Sequence, residues 1–128
     1  MATLRVRGDD LVLRLNPLER LLLLSPRSPR VPVSAVQDVS VQRRPGRLLE
    51  EVDFGLVGNT APLGFVITAM KGRYEDGWAA CCVYLRFSCV RVDIAASSRW
   101  RMFLVSSTSA EDLKEQVRTA LHLENGRA

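Results

Sequence analysis

Apolar and polar side chains alternate along most of this chain. Leu4 and Val6 lie between Thr3, Arg5 and Arg7, and Leu11, Leu13 and Leu15 are interleaved with Val12 and Arg14. Gly8-Asp9-Asp10 supplies turn residues between the two runs. A period of two sends successive side chains to opposite faces, which is the signature of a half-buried β-strand and not of a helix. The same period returns in Val39 and Val41, set among Asp38, Ser40 and Gln42, and again in Val90, Val92 and Ile94. Val36 has the wrong parity for the strand expected over about 36–43, which predicts a bulge or a second contact surface there.

Other segments fill in the series. Residues 20–24 read as a short strand with both faces covered, 63–70 is rich in β-formers, 78–84 is an apolar run short enough for a buried strand, and 100–105 completes the series. Asn16-Pro17 breaks the second strand, because Pro17 has no backbone donor and restricts Asn16 to extended or turn geometry. Ser25-Pro26-Arg27-Ser28-Pro29-Arg30 reads as a loop, and Lys71-Gly72-Arg73-Tyr74-Glu75-Asp76-Gly77 as a polar turn. Residues 44–62, with Pro45-Gly46, the acids Glu50, Glu51 and Asp53, Gly55, Gly58 and Pro62, read as one long excursion with room for a short strand near 52–54. A connection of that length in a small domain is often functional.

The end of the chain changes period. Ala110, Leu113, Val117, Ala120 and Leu121 make one stripe of an amphipathic helix. Thr108 with Glu111 has capping-box spacing, and Ser109 with Asp112 offers a competing register. Glu111, Asp112 and Glu115 suit the positive end of the helix dipole, and Asn125-Gly126 is a natural stop. About seven strands followed by one helix make an α+β, mainly β chain. An antiparallel sheet of this kind must curl or double over to hide its apolar face, and the helix can plug the open side. With no repeat or linker in its 128 residues, the chain reads as one domain, with a core over about 4–123.

Charge and cysteine narrow the chemistry. Eighteen basic against fourteen acidic residues leave a net charge of +4. The arginines are spread along the chain, often beside an acid as in Arg91-Val92-Asp93, and not concentrated in the run typical of nucleic-acid binders. Cys81 and Cys82 would point to opposite faces of a strand, no C-x-x-C pair exists, and His122 is remote. The three cysteines, with Cys89, therefore read as small buried apolar residues of a reducing cytoplasm, with no metal and no cofactor. Trp78 and Trp100 fall inside strand patterns, where core packing is their usual fate.

The order of these motifs resembles the bacterial pleckstrin-homology-like (PH-like) family, in its small single-domain actinobacterial type. Leu15-Asn16-Pro17-Leu18-Glu19-Arg20-Leu21 is similar to the family's first turn, and residues 31–41 to the lead-in to its third strand. Gly55, the 58–64 stretch, Gly77-Trp78 and Val105-Ser106-Ser107 before the helix are similar to later family features. Asp53-Phe54-Gly55 and Pro62-Leu63-Gly64 stand where the family often has an arginine-glycine pair. The resemblance implies a bent antiparallel β-sandwich or barrel of about seven strands capped by the C-terminal helix. It implies little about activity, since that fold serves lipid headgroups, peptides and plain scaffolding.

The functional expectation is a non-catalytic binding or assembly module. No phosphate-cradling glycine motif occurs, and the adjacent acids Glu50-Glu51 and Glu75-Asp76 lie in polar loops. A protein partner or self-association is expected; an anionic membrane surface is the alternative, and nucleic acid is not expected. For the alternative, Arg43, Arg44 and Arg47 cluster at the mouth of the long loop, with Lys71 and Arg73 in a neighbouring turn by chain order. Arginine offers a fork of donors suited to phosphate. The first-turn loop, where lipid-binding PH domains carry basic residues, is here Asn16-Pro17-Leu18-Glu19, flanked only by Arg14 and Arg20.

Overall fold

The computed structural model describes residues 3–15, 29–43, 70–83, 88–96 and 98–126. The strand expected over 20–24, the 44–62 excursion and nearly all of the strand expected over 63–70 lie outside the described residues. Two sheets and one helix make up the rest, a mainly β, α+β arrangement.

The first sheet is an antiparallel meander of β1 (Thr3–Arg7), β2 (Asp10–Arg14) and β3 (Arg30–Pro32). Gly8 opens the two-residue turn between β1 and β2 at φ +60°, a conformation in which glycine has no Cβ to clash. Register confirms the alternation: Leu4 lies opposite Leu13, and Leu11 opposite both Val6 and Val31, so one face is apolar. Arg30 begins a strand instead of closing a loop, because Val31 has an apolar row to complete.

The second sheet holds β4 (Val36–Gln42), β5 (Met70–Tyr74), β6 (Gly77–Cys82), β7 (Cys89–Ile94) and β8 (Trp100–Ser106), in the order β4-β7-β8-β6-β5. A single 3-10 turn, Val33–Ala35, leads into β4. The bulge expected at the start of β4 is present, as a register shift between Val36 and Asp38. The polar turn expected over 71–77 shrinks to Glu75-Asp76, since Met70–Tyr74 pairs with β6 as a strand. Period-two apolarity could not reveal β5, because Lys71, Gly72 and Arg73 carry none.

The sheets differ from the expected wrapping in two ways. They are separate among the described residues, three strands and five, and not one closed barrel. They are also not wholly antiparallel: β8 inserts between β7 and β6 and runs parallel to β6. That central position explains why all seven β8 residues are buried, as both faces of the strand are covered.

A bulge sorts those side chains. Trp78 pairs with Trp100 but Ala79 with Met102, so Arg101 is the extra residue. The shift brings Trp100 to the same side as Phe103 and Val105, in the core shared by both sheets and the helix. Its ring meets Phe103 edge-on at 5.8 Å. Met102 and Leu104 face the other way, into a second cluster with Ala79, Cys81, Val83 and Cys89. Cys82 faces the shared core, so Cys81 and Cys82 do point to opposite faces.

Helix α1 (Ala110–Gly126) packs on β1 of the first sheet and on β4 and β7 of the second. Its stripe of Ala110, Leu113, Val117 and Leu121 is buried as the spacing predicts. Ser109 supplies the carbonyl for the first helical bond, from Leu113 N at 2.9 Å, so the Ser109 register places the start of the helix. Arg118 reaches back to the edge strand β4. Its Nε and Nη2 donate to the Val39 carbonyl at 3.1 and 2.6 Å, occupying a backbone acceptor that an edge strand would otherwise leave open.

Candidate functional site

The end of β4, the start of β7 and the start of α1 meet at one end of the second sheet. Gln42 pairs with Cys89 and Cys89 with Ser106, so the chain ends of three adjacent strands converge there. A cleft of about 530 Å³ opens at this end, lined by Val41, Arg43, Ser88, Ser107, Thr108 and the first helical residues. An adjoining cleft of about 410 Å³ continues past Ser106, Asp112 and Gln116 towards Thr3. Hydroxyl groups dominate because Ser106-Ser107-Thr108-Ser109 turns the chain from strand to helix. Short polar side chains satisfy turn backbone well: Ser107 Oγ accepts from Ser109 N at 3.1 Å.

Among the described residues, Arg43 is the one expected ligand residue in this cleft, and it is exposed. It shares the space with two acids, Glu111 and Asp112. Glu111 is held below the ordinary carboxylate value chiefly by the hydrogen bond and charge of Lys114, 2.9 Å away, with smaller contributions from Arg43 and Arg118. The cleft therefore sets an exposed arginine against two acids, of which Glu111 is held in its charged form by Lys114.

Of the other expected ligand residues, Lys71 and Arg73 are not gathered around Arg43. Arg44 and Arg47 lie outside the described residues. Lys71 and Arg73 belong to β5, at the opposite edge of the sheet from β4 and four strand spacings away, about 19 Å. Arg73 is also near the far end of its strand, opposite Trp78, with its guanidinium 5.6 Å from the indole centroid. Adjacency in chain order did not become adjacency in space, because the topology sends β4 and β5 to different edges. No family model, curated protein or solved structure matches the chain.

At the far end of the sheet a buried arginine organises two turns. Arg101 Nε donates to Asp76 Oδ1 at 2.7 Å, tying the β7–β8 turn to the β5–β6 turn. Nη1 donates to the carbonyls of Ala95, Ser98 and Trp100, and Nη2 to that of Ala96 at 3.2 Å. The ion pair and hydrogen bond hold Asp76 below the usual carboxylate range. Only the bulge could have singled out this residue, and a bulge is a property of pairing. The neighbouring Arg99 guanidinium lies 5.2 Å from the Trp100 ring.

The nucleophiles sit elsewhere. Cys81, Cys82 and Cys89 are thiols outside any disulfide and are fully buried. Burial pushes the Cys81 thiol up to about 12, and raises that of Cys89 against a 3.3 Å hydrogen bond with Ser106 Oγ. Cys81 and Cys89 share a face but lie on β6 and β7, with β8 between them. Two strand spacings, about 10 Å, exceed the reach of a disulfide. Among the described residues no group of three His, Cys, Asp or Glu is close enough to hold a metal, and no helix is long and apolar enough to cross a membrane.

Proposed function

We propose that this protein is a non-catalytic binding or assembly module of the cytoplasm, related in plan to the PH-like proteins. The observation that carries the reading is the sorting of its reactive groups. The described thiols are sealed in two apolar clusters, whereas the described cations are largely at the surface. A nucleophilic enzyme needs the reverse, an accessible nucleophile with a base in reach. The helix packed across both sheets is consistent with a PH-like ancestry, although the parallel β6–β8 pair departs from that plan.

The test is sedimentation of the purified protein over a wide concentration range, with an assay against ester, phosphoester and peptide surrogates. A concentration-dependent dimer or a saturable ligand, without turnover, is the expected result. Turnover abolished by a single substitution at a described cysteine, or at Ser107 or Ser109, would overturn the reading. The alternative, a phosphorylated ligand held by Arg43, Arg44 and Arg47, has Arg43 in a hydroxyl-lined cleft in its favour and the carboxylates of Glu111 and Asp112 against it.

A further inference from the structure

Four of the arginines that look dispersed along the chain are gathered by the first sheet. Cross-strand partners share a face, and on the outer face Arg5, Val12 and Arg30 form one row across all three strands. Arg14 belongs to the row above, opposite Thr3, and Arg7 to the row below, opposite Asp10. All four arginines are exposed. Val12 between them is only 5% exposed. Four arginines face one acid, Asp10, a local excess of three against +4 for the entire chain. Asp10 lies 3.8 Å from Arg30, and among the described residues the other three arginines have no ion pair.

Like charges side by side on a sheet destabilise it. The fold nevertheless places Arg5 and Arg30 in one row, about 10 Å apart across two strand spacings, and spreads the four over a height of about 14 Å. We infer that this face is a docking surface for the phosphate backbone of duplex nucleic acid. The guanidinium fork matches phosphate oxygens. The span between Arg5 and Arg30 is close to the roughly 12 Å width of a duplex major groove, so the two can address both of its walls. Among the described residues the face has no exposed aromatic side chain to stack on an unpaired base, and its exposed apolar surface is confined to Pro32 at its rim, too little to enter a bilayer interface. Recognition is through phosphates and independent of base sequence. The expectation against nucleic acid rested in part on the spread of arginines along the chain, a premise that strand pairing removes for these four.

The inference rests on the binding-module reading and supplies its ligand. The experiment measures fluorescence anisotropy of a labelled DNA duplex with the full chain at several salt concentrations. Three to four phosphate contacts predict binding that weakens about 40- to 150-fold between 50 and 200 mM salt, from a slope near −0.9 per contact. Arg5→Gln with Arg30→Gln should lower that sensitivity to about 12-fold or less, and Arg7→Gln with Arg14→Gln should do the same. The control, Arg73→Gln with Arg99→Gln, removes equal charge from the second sheet and should bind as the parent does. Circular dichroism confirms that each variant is folded. Equal losses in all three pairs would mean net charge alone, and would overturn the inference. So would absence of duplex binding, whether or not vesicles rich in phosphatidylserine are bound instead. Vesicle binding would leave the module reading standing, whereas turnover in the surrogate assays would remove that reading on separate grounds.

Discussion

Gly77→Ala places a methyl group where the second sheet has no room for it. A Cβ at this position would lie 2.7 Å from Arg101 Cγ and 2.9 Å from the Arg99 carbonyl oxygen. The first contact is with the stem of a buried side chain whose head is fastened to four carbonyls and Asp76. The second is with backbone that already accepts a hydrogen bond from Trp78 N at 3.0 Å. Neither neighbour can retreat without loss. Overpacking costs about 1–3 kcal/mol, and a charge-assisted hydrogen bond given up by Arg101 costs about 1.5–3 kcal/mol more. Alanine recovers about 0.4–1 kcal/mol by restricting the unfolded chain. The net expectation is a destabilisation of about 2–4 kcal/mol, read from urea unfolding with an unchanged slope. In an Arg101→Ala background the same substitution should cost at least about 1 kcal/mol less, because its closest neighbour is gone. A loss below about 0.5 kcal/mol for Gly77→Ala, or one unchanged in that background, would refute the argument.

Leu113→Ala should cost about 2–5 kcal/mol in the same assay, since it empties the centre of the helix stripe against both sheets. The three cysteines should resist a thiol reagent at pH 8 in the folded protein and react fully in denaturant; rapid native labelling at Cys81 would contradict a thiol held near 12. Asp76 should make stability fall in acid. Its carboxyl is depressed in the folded state relative to the ordinary 3.8, so its contribution is present above that value and is lost as pH falls through the folded value. Asp76→Asn should flatten that part of the pH profile, and an unaltered profile would count against the Arg101 pair.

Much of the fold is legible wherever local pattern and burial agree. β1, β2 and β7 follow their alternation, β8 its short apolar run, and α1 its stripe, because each presents apolar side chains where its own backbone can bury them. The bulge at Val36 announces itself as a parity error. Elements lacking that agreement are not visible: β3 has a single buried side chain, Val31, and β5 begins Met-Lys-Gly-Arg. The candidate site is less legible still. Arg43 and Arg73 look like neighbours along the chain, yet stand at opposite edges of one sheet.

The sequence by itself determines the strands and the helix that carry a clear apolar pattern, and which of their side chains seek the interior. Those properties depend on separations of two to four residues, where backbone geometry leaves few choices. Tertiary structure alone decides strand order: the insertion of β8 beside β6, the bulge at Arg101, and the two-turn anchor that Arg101 makes. It alone decides where charge accumulates, dividing Arg43 from Arg73 and bringing Arg30 beside Arg5. The physical reason is that pairing between distant segments is set by a sum of many burial and hydrogen-bonding preferences over the whole chain, and no single segment contains that sum.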